Sequence, residues 1–139
     1  MNYQKTNYQR PYYPRRPVKS FQDLEVYQKL LAISVAISKK VKSEKIAAIA
    51  LDLPVKVATA HSLRFNDQTE AIQILEKVML DCNILIVYLE QYRDIENKEV
   101  ETEFFEEQIK NILATRMKIL HLQFSWKKFS EQRRKEQNV

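Results

Sequence analysis

A chain of 139 residues with 45% hydrophobic and 29% charged side chains, carrying a formal net charge of +5, has the balance of one globular domain. It holds no glycine, where average usage would supply about ten. Walker and Rossmann phosphate loops, which need glycine for positive φ and close backbone approach, are therefore excluded.

One cysteine, Cys82, cannot form an internal disulfide, and two histidines, His61 and His121, stand far apart in the sequence, so no metal-ligand cluster is legible. No nucleophile–base pair or cofactor motif appears, and the expectation is a protein that is not an enzyme and carries no cofactor.

Residues 1–20 read as a disordered basic arm. They combine Tyr3, Tyr8, Tyr12 and Tyr13 with Pro11, Pro14 and Pro17, contain no acidic residue, and carry Lys5, Arg10, Arg15, Arg16 and Lys19. The segment has no apolar stretch of the signal-peptide kind, and no apolar run approaches the ~20 residues of a membrane span. The expected location is the cytoplasm, with no membrane partner.

Four helices follow. Ser20 with Asp23 has the spacing of a capping box, and the first helix is predicted over 21–41. It bears two apolar stripes: Leu24, Tyr27, Leu31 and Val35, and Val26, Leu30, Ile33, Ile37 and Val41. One stripe would face the subunit core and the other a partner; Val26, Leu30, Ile33 and Ile37 are expected at an oligomer interface. Ser43 opens the second helix, about 44–65, with Pro54 in its middle and a kink expected there.

Asp67 and Glu70 make another capping pattern before a third helix, about 68–93. Its stripe runs through Ile72, Leu75, Val78, Met79, Cys82, Leu85, Ile86 and Leu89. Ile84, Val87 and Tyr88 lie on the far side and join the expected interface. An acidic connection, 94–103, leads to a fourth helix, about 103–131, with Phe105, Ile109, Ile112, Leu113, Leu120 and Phe124 expected on its inner face. Residues 132–139 form a basic tail. The expected fold class is all-α, an up-down-up-down four-helix bundle over 21–131 whose surplus apolar faces point to a homo-oligomer.

Charge is unevenly placed. The arm holds five basic residues, segment 90–107 eight acidic against two basic, and residues 127–139 five basic against two acidic. Basic candidates for phosphate contact are Lys5, Arg10, Arg15, Arg16 and Lys19 in the arm, and Lys39, Lys40, Lys42 and Lys45 at the corner of helices 1 and 2. Arg116, Lys127, Lys128, Arg133, Arg134 and Lys135 on helix 4 complete the set. The four arm tyrosines are candidates to stack on unpaired bases. Arg116 falls in the apolar stripe of helix 4. It must either pair with Glu70, Glu76 or an acidic residue of a neighbour, or line a solvated basic surface. Lys56 reads as an exposed lysine, both histidines as surface or interface residues, and Cys82 as a buried small hydrophobe.

Phe21-Gln22-Asp23-Leu24-Glu25-Val26-Tyr27-Gln28-Lys29 resembles the opening signature of the small four-helix-bundle proteins encoded within 23S rRNA intervening sequences, and Leu53-Pro54-Val55-Lys56-Val57-Ala58 is similar to that family's mid-helix proline segment. Lys56 replaces the family's usual Asn, and Thr59-Ala60 its Glu-Gly. Arg116 to Phe129, with Leu120-His121-Leu122-Gln123 and Trp126-Lys127-Lys128-Phe129, resembles the branch of accessory variability proteins of diversity-generating retroelements, as does Cys82-Asn83 with Val87-Tyr88-Leu89-Glu90-Gln91. The resemblance spans about residues 18–130. It implies a cyclic homopentamer and a non-catalytic partner of a reverse transcriptase and its template RNA, single-stranded or structured, or of an RNA/DNA hybrid. The alternative is a protein-interaction scaffold without direct RNA binding.

Overall fold

Two of the four described α-helices start at short polar side chains that take up orphan backbone N–H groups. Ser43 Oγ accepts from Ile46 N at 3.2 Å and opens α2, Glu44–Leu63. Asp67 Oδ1 accepts from Glu70 N at 3.1 Å and opens α3, Gln68–Ile95. Ser20 and Asp23 form the expected capping box, with Gln22 N donating to Ser20 Oγ at 3.2 Å and Ser20 N donating to Asp23 Oδ2 at 3.3 Å.

That box caps only a single 3-10 turn, Phe21–Asp23. The long helix expected from residue 21 does not start there, because Leu24 is extended (φ −73°, ψ 127°) and buries its side chain. α1 then runs Glu25–Lys40.

The computed structural model describes residues 18–137. The candidates Tyr3, Lys5, Tyr8, Arg10, Tyr12, Tyr13, Arg15 and Arg16 lie outside the described residues.

α4 covers Thr102–Gln137, 36 residues. The helix expected to stop near 131 continues through the basic segment, so residues 132–137 belong to α4. With no glycine available for the turn before it, Asn97 does the work: its Oδ1 accepts from Val100 N at 2.9 Å and its Nδ2 donates to Val100 O at 2.6 Å.

The helices pack in a square, α1 against α2, α2 against α3, α3 against α4 and α4 against α1, with no strand among the described residues. This is the four-helix bundle of up-down-up-down topology. Leu30, Ile37, Leu53, Val57, Leu75, Leu85, Leu89, Phe105, Ile112 and Ile119 are fully buried in its core. α2 is continuous through the buried Pro54. By length and composition it is also the one described helix apolar enough to cross a membrane, but here it packs between α1 and α3.

Two sequence expectations are corrected by the packing. Val26, Leu30, Ile33 and Ile37 are core residues, so they are not available to a partner; of the other stripe Leu24 is buried and Tyr27 half-buried, and Leu31 and Val35 are exposed. On α4 the inner face is Phe105, Gln108, Ile112, Thr115, Ile119 and Gln123, while Leu113 and Phe124 are exposed. Polar residues at core positions shift the stripe. Thr115 Oγ1 donates to Asn111 O at 2.8 Å, and Gln123 Nε2 donates to Glu76 Oε2 at 2.7 Å and Ile72 O at 3.2 Å, whereas Gln108 Oε1 is buried without a hydrogen-bond partner.

Candidate nucleic-acid interface

The turn between α2 and α3 and the overhanging end of α4 enclose a cavity of about 390 Å³. Ten residues line it; three are arginines (Arg64, Arg133, Arg134), three are aromatic (Phe65, Trp126, Phe129) and none is acidic. Arg64 is the C-cap residue of α2, where a cation complements the helix dipole. Its Nη1 donates to His61 O and lies 3.2 Å from His61 Nδ1. The Arg64 guanidinium stacks 4.2 Å from the centroid of Phe65, and that of Arg133 lies 6.0 Å from the same ring. Phe65 and Phe129 have centroids 6.4 Å apart. Trp126 anchors the α4 wall to α3, its carbonyl accepting from Gln68 Nε2 at 2.8 Å.

Next to this cavity His61, expected as a surface or interface residue, is buried within the chain, with its ring 6.5 Å from that of Trp126. Burial lowers its pKa, and the Arg64 charge lowers it further. Because Arg64 can only donate, Nδ1 is the acceptor and the neutral ring keeps its proton on Nε2, a buried atom without a hydrogen-bond partner.

Lys127, Lys128, Arg133, Arg134 and Lys135 are all exposed on the α4 segment at this end of the bundle, and Lys19 is exposed too. The lysine corner is not contiguous with them. Lys39, Lys40, Lys42 and Lys45 stand at the opposite end, beside the acidic connection; the 20 residues of α2 alone separate the ends by about 30 Å. There Lys40 Nζ lies 3.7 Å from Glu101 and 5.0 Å from the Phe104 ring, Lys45 Nζ lies 4.0 Å over the Tyr88 ring, and Lys42 N donates to the Tyr92 hydroxyl at 3.3 Å. Local partners therefore engage the Lys40 and Lys45 side chains, while Lys42 contributes only its backbone N–H.

Arg116 lies in an outer groove of α3 and α4 with Glu76, Leu80, Asn83 and Leu120. Its Nε is buried with no hydrogen-bond partner, and no carboxylate comes within 4.0 Å among the described residues. The pairing with Glu70 or Glu76 weighed from sequence is not formed within the chain. Its charge acts on Cys82, whose fully buried thiol is pushed up to about 12 by burial, against the pull of Arg116.

Two outer faces carry the surplus apolar surface. Leu31 and Val35 of α1 and Leu51 and Val55 of α2 are exposed on one. The α4-facing flank of α1 is marked by Glu25 and Lys40, which reach Lys118 and Glu101, and so lies elsewhere. Leu80 and Val87 of α3 and Leu113, Met117 and Phe124 of α4 form the second, on the opposite side of the square. Of the interface residues expected on helix 3, Val87 is exposed, and Ile84 and Tyr88 are half-buried.

Arg64, Phe65 and Phe129 escaped the sequence reading. The available signal was an Arg-aromatic pair at a helix C-terminus matched by an aromatic three residues after the lone tryptophan. No protein-family model matches the chain, and no curated protein or solved structure matches it either.

Proposed function

We propose that this protein is a non-catalytic RNA-binding accessory protein of the cytoplasm. In this reading an oligomeric bundle holds a single-stranded or structured RNA beside a reverse transcriptase. The observation that carries it is the acid-free arginine–aromatic cavity flanked by Lys127, Lys128 and Lys135, to which the arm's five basic residues add charge. Basic side chains bind phosphates by counterion release, and aromatic faces hold unpaired bases. The cyclic pentamer rests on the resemblance of Phe21–Lys29 to the 23S rRNA intervening-sequence proteins, and the reverse transcriptase partner on that of Arg116–Phe129 to the accessory variability proteins. Two different apolar faces on opposite sides support a head-to-tail contact, the kind that closes into rings.

The test is RNA binding by the purified protein as a function of salt. Affinity is expected to fall steeply with salt, and removal of residues 1–17 together with the segment from Lys127 is expected to abolish it. A truncated protein that binds with the same salt slope would overturn this assignment of contacts. The scaffold reading has its own observation, the exposed acidic residues Asp94, Glu96, Glu99, Glu101 and Glu103 at the other end. It predicts that protein alone shows no RNA preference at physiological salt.

A further inference from the structure

The cavity between Arg64 and Arg134 has features that a general polyanion-binding surface does not need. Lysines spread over a surface suffice to attract a phosphate backbone, with no concavity required. Here the positive charge comes from arginines, whose planar forks match phosphate oxygens, and it lines a hollow with three flat rings. Its volume falls in the range of small-ligand sites, with a few polar groups set among aromatic walls. The Arg64–Phe65 stack presents a guanidinium plane beside a ring, and both are surfaces on which unstacked bases lie.

We infer that this cavity holds one unpaired nucleotide of a single-stranded RNA. Its base stacks among Phe65, Phe129 and Trp126, and its phosphate sits on Arg133 and Arg134. The inference rests on the RNA-binding reading and narrows it to a place and a ligand. A paired base cannot enter, because its faces are already taken by neighbours in the helix. Single strands are therefore preferred over duplexes. A phosphopeptide would satisfy the arginines but leave the aromatic walls without a flat partner, so the nucleotide is the ligand favoured.

Trp126 is the only tryptophan in the chain, so its fluorescence reports on this cavity alone. The experiment uses the full chain and a labelled mixed-sequence 12-nucleotide RNA, with anisotropy reading binding and Trp126 emission reading occupancy. The single strand is expected to quench Trp126, and the matching duplex is not. Phe65 and Phe129 are 60% and 52% exposed, so the double variant Phe65→Leu/Phe129→Leu keeps its core, checked by helicity. It is expected to bind the single strand about tenfold or more weakly, without quenching and with an unchanged salt slope. Arg133→Gln/Arg134→Gln is expected to reduce that slope by about one.

Wild-type affinity in the double aromatic variant, or quenching by duplex equal to that by single strand, would overturn the nucleotide pocket while leaving RNA binding in place. A phosphotyrosine peptide that quenches Trp126 where RNA does not would overturn it in favour of a protein ligand. Absence of binding to every RNA would overturn both readings.

Discussion

Lys56 Nζ lies 2.6 Å from Asp81 Oδ2, joining the middle of α2 to the middle of α3. Asp52 approaches the same ammonium at 2.8 Å and Lys77 approaches Asp81 at 3.0 Å, making a chain of alternating charges along the seam. The Asp81 side chain is only 10% exposed, and that of Lys56 28%. Burial works to raise the Asp81 pKa and to lower that of Lys56. The opposite charges outweigh it, holding Asp81 below the usual carboxylate range and Lys56 above the usual amine value.

Removing Lys56 leaves the buried Asp81 carboxylate with the exposed Lys77 as its remaining partner among the described residues. Lys56→Met is expected to cost about 2 kcal/mol of stability, below the 3–5 of a fully buried pair because the site is partly solvated. Lys29→Met, whose i,i+4 partner Glu25 is exposed, is expected to cost under about 0.5 kcal/mol. Urea unfolding of the two variants checks the contrast; equal losses would mean that the seam network contributes no more than a surface pair.

Two buried groups contribute to the acid limb of stability. His61 has a lowered folded pKa, so between that value and the unfolded one the unfolded chain binds more protons, and stability falls as pH drops below about 6.5. Asp81 has a lowered folded pKa too; its contribution is complete above about pH 5 and is lost as pH falls through its folded value. Denaturant midpoints are expected to decline from about pH 7.5 to about pH 5 in the wild type and to stay flat in His61→Phe. Asp81→Asn is expected to flatten only the decline below about pH 5. A His61→Phe profile parallel to the wild type would rule out this origin.

Cys82 is expected to be inert in the native state. With no exposed surface and its pKa pushed up to about 12, almost no thiolate exists at neutral pH, and the thiolate is the reactive form. Alkylation by iodoacetamide is expected to follow unfolding, rising only where denaturant melts the helices. Rapid labelling without denaturant would contradict the packing of α3.

The exposed apolar faces set the oligomer prediction. Leu51→Glu on the α1–α2 face and Leu113→Glu on the α3–α4 face, both at exposed positions, are expected each to reduce the mass measured by light scattering to that of a monomer while leaving helicity intact. A head-to-tail ring loses its contact from either side. Retention of the wild-type mass in either variant would exclude that face.

Much of the bundle was legible because its signals are local. Ser43 and Asp67 fix two helix starts through bonds spanning three residues, and the periodic stripe of α3 maps onto its buried face. Misreadings arose where tertiary packing decides. Leu24 leaves the helix to reach the core, a choice that a continuous helical pattern cannot reveal. Gln108, Thr115 and Gln123 occupy core positions of α4 and rotate its inner face away from Leu113 and Phe124. Choosing between the two stripes of α1 required knowing on which side α4 packs. The Lys56–Asp81 pair joins residues 25 apart and has no spacing signature, though an aspartate on the inner edge of an apolar helix is itself a cue. The cavity around Phe65 and Phe129 joins two distant segments and becomes visible only once they are brought together.

α4 is 36 residues long, yet its last buried residue is Gln123. At 1.5 Å per residue, roughly 16 Å of helix extends like a cantilever beyond Trp126, the last α4 side chain packed against the core, and that beam forms one wall of the cavity. Amide protection is expected to fade along it, from the slow exchange of the core to rapid exchange at the tip. The tip can unwind by turns at little cost to the rest of the molecule, because an isolated stretch of this length is marginal as a helix. Occupancy of the cavity would then be read out as protection of amides beyond Ser130, linking what the pocket holds to how far the last helix stays wound.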